Sequence, residues 1–247
     1  MAAGPAEAPP LVLLHGIGAN SMGWRFQYPA LSDRFRVVAW NAPGYMLSDP
    51  LSAETPSADD YPAALADFLT AMGIERFDVL ANSFGTRVAQ GFACRYPDRI
   101  VRAVFTGTSV APAQSEAERA RALEARAAQV ANGGYGFGER ADALLGSRAT
   151  AKTAGIVRHV LRATNPAGFM QAARSATGRD PIGAGLSMPL LMIQGAEDRV
   201  TPAAANAGRL AEAVSGARLV MLDGCGHLPE LEMPARVNAL VREFLFP

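Results

Sequence analysis

This sequence contains little cysteine, and the positive and negative charges of its side chains balance. The chain of 247 residues contains two cysteines, too few for a disulfide framework, and no Cys/His spacing typical of a zinc site. Lys plus Arg and Asp plus Glu number 23 each, so the formal net charge is zero. A neutral chain has no global field that attracts nucleic acid or an anionic membrane surface. We therefore expect a small-molecule substrate, with no metal, no cofactor and neither nucleic acid nor membrane as a partner.

Long apolar runs are missing as well. No stretch approaches the roughly 18 apolar residues of a membrane span, and residues 1–10 lack the basic and apolar regions of a signal peptide. These absences predict a soluble, cytoplasmic protein, either a monomer or a homodimer. The length and the 49% of apolar residues indicate one compact domain with a full hydrophobic core.

Short apolar runs alternate with longer helical patterns along most of the chain. The predicted strands are Leu11–Leu14, Phe35–Trp40, Phe77–Ala81, Ile100–Thr106, Leu190–Ile193 and Arg218–Leu222. The predicted helices are Asp59–Met72, Thr86–Tyr96, Ala203–Val214 and Pro234–Phe246. This alternation predicts an α/β fold with a mostly parallel, doubly wound sheet of about six strands and helices on both faces.

The stretch from about Pro112 to Ser187 breaks the alternation. It contains helical patterns rich in Ala and Arg, interrupted by a glycine-rich run at 133–138, and no convincing strand. We predict a core of residues 1–111 and 188–247, with residues 112–187 inserted as a helical cap. Because this insertion leaves the sheet near the place where parallel-sheet sites form, we expect it to act as a lid with a flexible glycine turn.

Ser83 lies between an apolar strand and a helix. A serine on such a tight turn needs small residues two positions before and after it, and Ala81 and Gly85 meet that need. The turn would also direct the positive end of the next helix at the reacting centre. Ser21 has the same small-x-Ser-x-Gly pattern without a preceding strand, so the context selects Ser83. The alternative role for Ser83 is a helix N-cap.

An acid and a histidine follow two later strands. Asp198 lies in the loop after Leu190–Ile193, and His227 lies just beyond Arg218–Leu222. The carboxyl ends of parallel strands meet at one sheet edge, so these side chains are expected to meet Ser83. The pattern predicts a catalytic triad of nucleophile, orienting acid and base, without a metal ion.

The loop after the first strand is expected to complete an oxyanion hole. The two predicted donors are the backbone N–H groups of Phe84 and of Ile17, which lies between two glycines. We assign His15 a structural role in holding this loop. The sequence Gly16-x-Gly18 is a poor dinucleotide motif, because the third glycine is absent.

These motifs together resemble the α/β-hydrolase superfamily, from His15-Gly16 through segments 41–45 and 81–85 to the predicted acid and base. The resemblance implies the triad and oxyanion roles given above, and a cap after the strand that ends near Thr106. A serine at the elbow argues against the dehalogenase and epoxide-hydrolase branches, which have aspartate there. The sequence departs from the family at Asn41, Met46 and Thr86, and its early oxyanion loop predicts that N-terminal strands of the family are missing.

The substrate is less constrained than the mechanism. Candidate pocket residues are Trp24, Met46, Phe169 and Met170, although such apolar residues more often belong to the core. The elbow sequence is similar to that of carbon–carbon hydrolases acting on ring-fission dienone acids, whereas the compact cap looks more like that of small-ester and enol-lactone hydrolases.

Carbon–carbon cleavage also requires a cation that holds the carboxylate of the substrate. Arg158, Arg162 and Arg174 lie on charge-rich helical patterns typical of a solvated face. We therefore predict hydrolysis of a small carboxylic ester or lactone, with carbon–carbon hydrolysis as the alternative. A ligand-binding protein without catalysis is the alternative from another functional class.

Overall fold

A single sheet organises the molecule. The computed structural model describes residues 1–111, 115–131, 138–177 and 182–246. Its strands are β1 Ala2–Ala3, β2 Pro10–Leu14, β3 Arg36–Trp40, β4 Phe77–Asn82, β5 Ile100–Thr106, β6 Leu190–Gly195 and β7 Arg218–Leu222. They run in the order β1-β3-β2-β4-β5-β6-β7, and every neighbouring pair is parallel except β1 with β3.

The predicted α/β class is confirmed, and each predicted strand is present within two residues of its expected bounds. The sheet gains a seventh strand, β1, which pairs Ala2 with Val38 and Ala3 with Val37. Two alanines carry no apolar run or alternation, so the sequence pattern did not indicate this strand.

Helices surround the sheet. They are α1 Gln27–Leu31, α2 Asp60–Ala71, α3 Phe84–Arg95, α4 Glu116–Ala131, α5 Ala141–Leu144, α6 Ala151–Arg162, α7 Pro166–Ser175, α8 Ala207–Ala213, α9 Pro229–Glu232 and α10 Pro234–Leu245. The helix predicted over Ala203–Val214 is divided at Asn206, whose backbone leaves the helical region with φ −129° and ψ −88°. The side-chain oxygen of Asn206 accepts a hydrogen bond from the Val110 N–H at 3.2 Å. Asn206, at the break in the helix, therefore contacts the loop after β5.

Alternate residues of each strand face two separate cores. On one face, Val12 and Leu14 of β2 share a buried cluster with Leu65 of α2 and Val88 of α3. On the other face, neighbouring residues of the same strand pack into a second cluster with the α10 helix. Both faces of the parallel sheet are therefore buried, which explains its nearly continuous apolar strands.

In the described part of the chain between β5 and β6, the regular elements are the helices α4 to α7, joined by turns and loops; we call these the inserted helices. Their apolar residues Leu144, Val157 and Phe169 cluster with Leu228, which follows β7, and with Leu231 of α9. This contact joins the inserted helices to the carboxyl edge of the sheet. Residues 133–137 of the glycine-rich run lie outside the described residues, and the boundaries at 112 and 187 stay a prediction. None of the helices in the described ranges is long and apolar enough to cross a membrane.

Candidate active site

Ser83 occupies a strained turn between β4 and α3. Its backbone has φ 51° and ψ −114°, a region that costs a non-glycine residue about 1–3 kcal/mol. Backbone hydrogen bonds hold the turn: the Ser83 N–H donates to the Thr106 carbonyl at 3.1 Å, and the Ser83 carbonyl accepts from the Thr86 N–H at 2.9 Å. The Ser83 side chain makes no capping hydrogen bond to α3. The N-cap alternative therefore has no support in this geometry.

The turn needs small residues because other backbone segments approach it closely. A Cβ at Gly85 would collide with the carbonyl oxygen of Leu14. A Cβ at Gly16 would lie 2.7 Å from the Asn82 Oδ1 and 3.0 Å from the Ser83 Cβ. The loop after β2 can therefore approach Ser83 only because it has a glycine at this position.

Asp198 and His227 are hydrogen-bonded to each other. The His227 Nδ1 lies 2.9 Å from the Asp198 Oδ2, and because a carboxylate only accepts, Nδ1 carries the proton. This tautomer leaves Nε2 of the imidazole as the proton acceptor. Both residues are buried, at 6% and 5% exposure, so the pair is shielded from competing water.

The Asp198 carboxylate accepts several further hydrogen bonds. The backbone N–H groups of Val200 and Thr201 donate to its Oδ1, each at 2.9 Å. The Thr201 hydroxyl and the Gln194 amide donate to its Oδ2, at 2.8 and 2.6 Å. Burial alone would raise the pKa of Asp198, but the bonds from His227 and Thr201 outweigh it and lower this pKa to about 2. The acid is therefore ionised at neutral pH.

His15 links two loops beside Ser83. Its Nδ1 lies 2.9 Å from the Gly16 carbonyl, and its Nε2 accepts from the Ala42 N–H at 3.1 Å. Burial lowers the pKa of His15 to about 4, although the bond to Gly16 opposes the shift. A neutral ring with these two bonds fixes the loop that carries Ile17. The predicted structural role of His15 fits this geometry.

A cavity of about 320 Å³ lies at the predicted nucleophile and base. Ser83, His227, Ile17 and Phe84 all line it. Phe84 begins α3, so its N–H belongs to the first turn, whose donors have no acceptor within the helix. Within the described residues, no group of three His, Cys, Asp or Glu side chains could hold a metal ion.

The predicted pocket residues divide into two groups. Trp24 and Phe169 line the cavity. The other two were misplaced: Met46 is 43% exposed, and Met170 lines a separate shallow groove. Met46 has a positive φ of 53° in the turn after β3, and this turn directs its side chain away from the cavity.

Ser21 and Asn41 are not among the described residues of the cavity lining. Ser21 begins the short 3-10 helix Ser21–Trp24, and its N–H donates to the Asn41 Oδ1 at 2.8 Å. Asn41, one of the departures from the family pattern, thus fastens the loops after β2 and β3 to each other.

Several polar residues line the site although no sequence pattern indicated them as site residues. The buried Glu230 accepts a hydrogen bond from the Thr106 hydroxyl at 2.9 Å and lies near the Asn82 amide, 3.5 Å away. Burial raises its pKa to about 8. Arg126 and Arg140 line the cavity. In the sequence, all three look like solvated charges on helices, because only the tertiary contacts bury them.

The arginines considered from the sequence lie elsewhere. Arg158 pairs with Asp142 at 2.8 Å, and Arg174 donates to the Glu54 carbonyl at 2.8 Å. Arg162 is exposed. None of the three is among the described residues of the cavity lining.

Comparison with known proteins shows the family to which this chain belongs. The profile described as the alpha/beta hydrolase family matches residues 11–240. The chain belongs to the alpha/beta hydrolase family.

Similar members of this hydrolase family include enzymes of two kinds. A 2-hydroxymuconate semialdehyde hydrolase from Pseudomonas sp. (strain CF600) is 26% identical over 96% of this chain and 86% of its own length. A 2-hydroxy-6-oxononadienedioate/2-hydroxy-6-oxononatrienedioate hydrolase from Pseudomonas putida is 36% identical, but the match spans 39% of this chain and 35% of that protein. Among solved structures, a malate-bound thermophilic esterase from Thermogutta terrifontis is 25% identical with a TM-score of 0.88, covering 99% of this chain and 91% of the esterase.

Proposed function

We propose that this alpha/beta hydrolase is a serine hydrolase that cleaves a small carboxylic ester or lactone. Ser83 is the nucleophile, His227 the general base and Asp198 the acid that orients the base. The observation that carries the proposal is the buried hydrogen bond between Asp198 and the Nδ1 of His227, beside a serine on a strained turn in the same cavity. The cavity of about 320 Å³ is at the small end of the ~300–1,000 Å³ usual for ligand sites.

The reaction follows from these positions. The His227 Nε2 takes the proton of the Ser83 hydroxyl as Oγ bonds to the substrate carbonyl carbon. The negative charge that develops on the carbonyl oxygen is stabilised by the N–H groups of Ile17 and Phe84. Collapse of this intermediate breaks the bond to the alkoxide, which receives the proton from the imidazolium. Water, deprotonated by His227, then attacks the acyl-enzyme and releases the acid and Ser83.

A fluorophosphonate probe tests the serine role against a non-catalytic binding function. We expect the probe to label Ser83 in the folded protein. Ser83→Ala should lower kcat for 4-nitrophenyl acetate on the order of 10⁶-fold, as nucleophile knockouts in such triads do. Ser21→Ala is the matched control, because it changes a buried serine outside the cavity. An unlabelled but folded wild-type protein would favour the binding function.

Carbon–carbon hydrolysis is the second candidate, and two observations favour it. Arg126 and Arg140 line the cavity and could supply the cation that this reaction requires. The relative from strain CF600, a 2-hydroxymuconate semialdehyde hydrolase, aligns with nearly the whole chain. Ester hydrolysis needs only the serine, imidazole and oxyanion donors, and a structurally similar protein is an esterase. We therefore prefer an ester or lactone substrate.

A parallel assay of purified enzyme separates these candidates. The substrates are short 4-nitrophenyl esters, a small lactone and a ring-fission dienone acid. We expect the highest kcat/KM for an ester or the lactone. A value for the dienone acid tenfold above that for the best ester, about 1.4 kcal/mol of transition-state preference, would reverse the order.

A further inference from the structure

Two arginines from the chain between β5 and β6 line the same cavity as Ser83 and His227. Arg126 lies on α4, and Arg140 directly precedes α5. Both are half-buried. Burial lowers the pKa of each guanidinium, and the positive charge of Arg140 lowers the pKa of Arg126 further. The lining of this cavity therefore contains two cationic side chains.

Arg140 lies near the loop after β2 through its contact with Phe169. The Arg140 Cζ is 5.9 Å from the centroid of the Phe169 ring, within reach of a cation–π interaction. A Cβ on Gly18 would lie 3.6 Å from the same ring. Burial raises the pKa of Tyr45, whose hydroxyl is 3.4 Å from the Gly18 N–H, while the charge of Arg126 opposes this rise. Phe169 thus connects Arg140 to the loop that carries Ile17, and the charge of Arg126 acts on Tyr45, which contacts the same loop.

No counter-charge accompanies the pair in the part of the chain that the structure describes. There, neither arginine forms an ion pair or hydrogen bond with a carboxylate. Glu230 is the one acid among the described lining residues, and burial raises its pKa to about 8, so it is neutral at pH 7. Asp198 is occupied by His227.

Two half-buried charges of one sign in one cavity, with no paired carboxylate among the described residues, attract an anion. Guanidinium groups bind carboxylates through paired hydrogen bonds, and these bonds strengthen away from water. A third arginine of the lining, Arg87, donates to the Ala176 carbonyl at 3.3 Å, so it already has a structural contact. The anion is therefore expected at Arg126 and Arg140.

We propose that Arg126 and Arg140 form an anion subsite, and that the substrate carries a carboxylate a few bonds from the carbonyl that Ser83 attacks. The proposal rests on the proposed function for the bond that is cleaved, but the anion site itself does not depend on catalysis. The carboxylate can belong to the acyl part or to the leaving group, and each possibility has its own substrate pair below.

The first experiment compares charged substrates with neutral isosteres. Monoethyl succinate against ethyl succinamate places the carboxylate on the acyl part, and 4-acetoxybenzoate against 4-acetoxybenzamide places it on the leaving group. We expect kcat/KM at least tenfold higher for the charged member of one pair, with a ratio that falls as salt is added. Equal values within both pairs would overturn the proposal, and this comparison needs no variant.

The second experiment assigns the effect to residues. Arg126→Gln and Arg140→Gln should each lower the charged-to-neutral ratio about tenfold or more, and Arg126→Lys should restore part of it. Arg121→Gln is the matched control, because Arg121 is an exposed arginine of the same helix and should leave the ratio unchanged. Thermal melts confirm that each variant is folded. Wild-type ratios in both folded Gln variants would contradict the assignment.

A binding measurement separates this proposal from the proposed function. Succinate is titrated into Ser83→Ala protein, which needs no turnover, and the melting temperature is followed. We expect stabilisation that disappears when Arg126→Gln and Arg140→Gln are added. If no ester is hydrolysed but succinate still stabilises through the arginines, the anion subsite stands and the esterase function fails. If esters are hydrolysed without charge preference and succinate has no effect, only the anion subsite fails.

Discussion

At the scale of single residues, the candidate site is prepared by hydrogen bonds made before any substrate arrives. Asp198 accepts from two backbone N–H groups, from Thr201 and Gln194, and from His227. Such fixed donors hold the carboxylate and the imidazole in one orientation, so the reaction requires little rearrangement. The sequence indicated Asp198 and His227, whereas the two polar side chains that support them became visible only in the structure.

Substitutions of Thr201 test whether its hydroxyl group helps to hold the Asp198 carboxylate. Thr201→Val removes the hydroxyl that donates to the Asp198 Oδ2 at 2.8 Å but keeps the shape of the side chain. We expect kcat to fall about tenfold, because a hydrogen bond to a charged group contributes about 1.5–3 kcal/mol. Thr201→Ser keeps the hydroxyl and should stay within about twofold of wild type by the same reasoning. Steady-state kinetics on a 4-nitrophenyl ester measure both, and equal losses would contradict a role for the hydroxyl.

The raised pKa of Glu230 predicts that the stability of the protein depends on pH. Its pKa is about 8 in the folded protein, against an ordinary value of 4.5. Between these values the folded state binds a proton that the unfolded chain has released. The contribution of Glu230 to stability is therefore complete below about pH 4.5 and is lost as the pH rises through about 8.

Urea unfolding at pH 6 and 8.5 measures this loss in wild type and in Glu230→Gln. The glutamine has the same shape and cannot ionise, so the variant should lose less free energy of unfolding over this interval, by on the order of 2 kcal/mol. Parallel losses in the two proteins would show that Glu230 does not ionise there.

At the scale of elements, the turn from β4 to α3 holds Ser83 in a strained backbone conformation. Its strained serine persists because α3 packs directly against β2. Strain of this kind survives only where the surrounding structure determines it. The close approach of the first turn of α3 to β2 depends on Gly85, a position where the sequence pattern predicted a small residue.

Two glycine substitutions in helices should therefore have opposite effects. Gly85→Ala would force a methyl group against the Leu14 carbonyl, and we expect it to lower the free energy of unfolding by about 2–3 kcal/mol. Gly155→Ala is the control: Gly155 is exposed on α6, and a Cβ there meets nothing within 4 Å. It should stabilise by about 0.5–1 kcal/mol. Chemical denaturation compares the two, and a neutral Gly85→Ala would show that the turn can relax.

At the scale of the whole molecule, burial is unevenly distributed. Every residue of β4 is buried, whereas α4 contains no buried residue over its 16 positions. The inserted helices contact the rest of the protein through the apolar cluster around Phe169 and through Ala172, which belongs to the main core cluster. The central sheet therefore carries most of the interactions that resist opening.

Hydrogen exchange should reflect this difference. We expect the amides of α4 to exchange faster than those of β4 and β5, because a helix with little buried surface opens at low free-energy cost. Exchange followed by mass spectrometry resolves the segments, and α2 serves as a control helix with five buried residues. Protection of α4 equal to that of β4 would contradict the expectation.

The sequence by itself determined the fold class, the six longer strands and the three candidate triad positions. Short local patterns indicate these features. They are apolar runs of strand length, a serine flanked by Ala81 and Gly85, and an acid and a histidine directly after strands. A local pattern suffices because carboxyl ends of parallel strands must share one edge of the sheet.

Only the tertiary structure decided the environment of charges and apolar side chains. Glu230, Arg126 and Arg140 have the sequence context of solvated residues, yet they line the cavity, while Met46 looks like a pocket residue and is exposed. The short β1 strand likewise exists because β3 offers it an edge. The physical reason is the same in each case. Burial, and the pKa shifts that burial causes, depend on which other segments of the chain pack against a residue. The sequence of one segment does not specify those contacts.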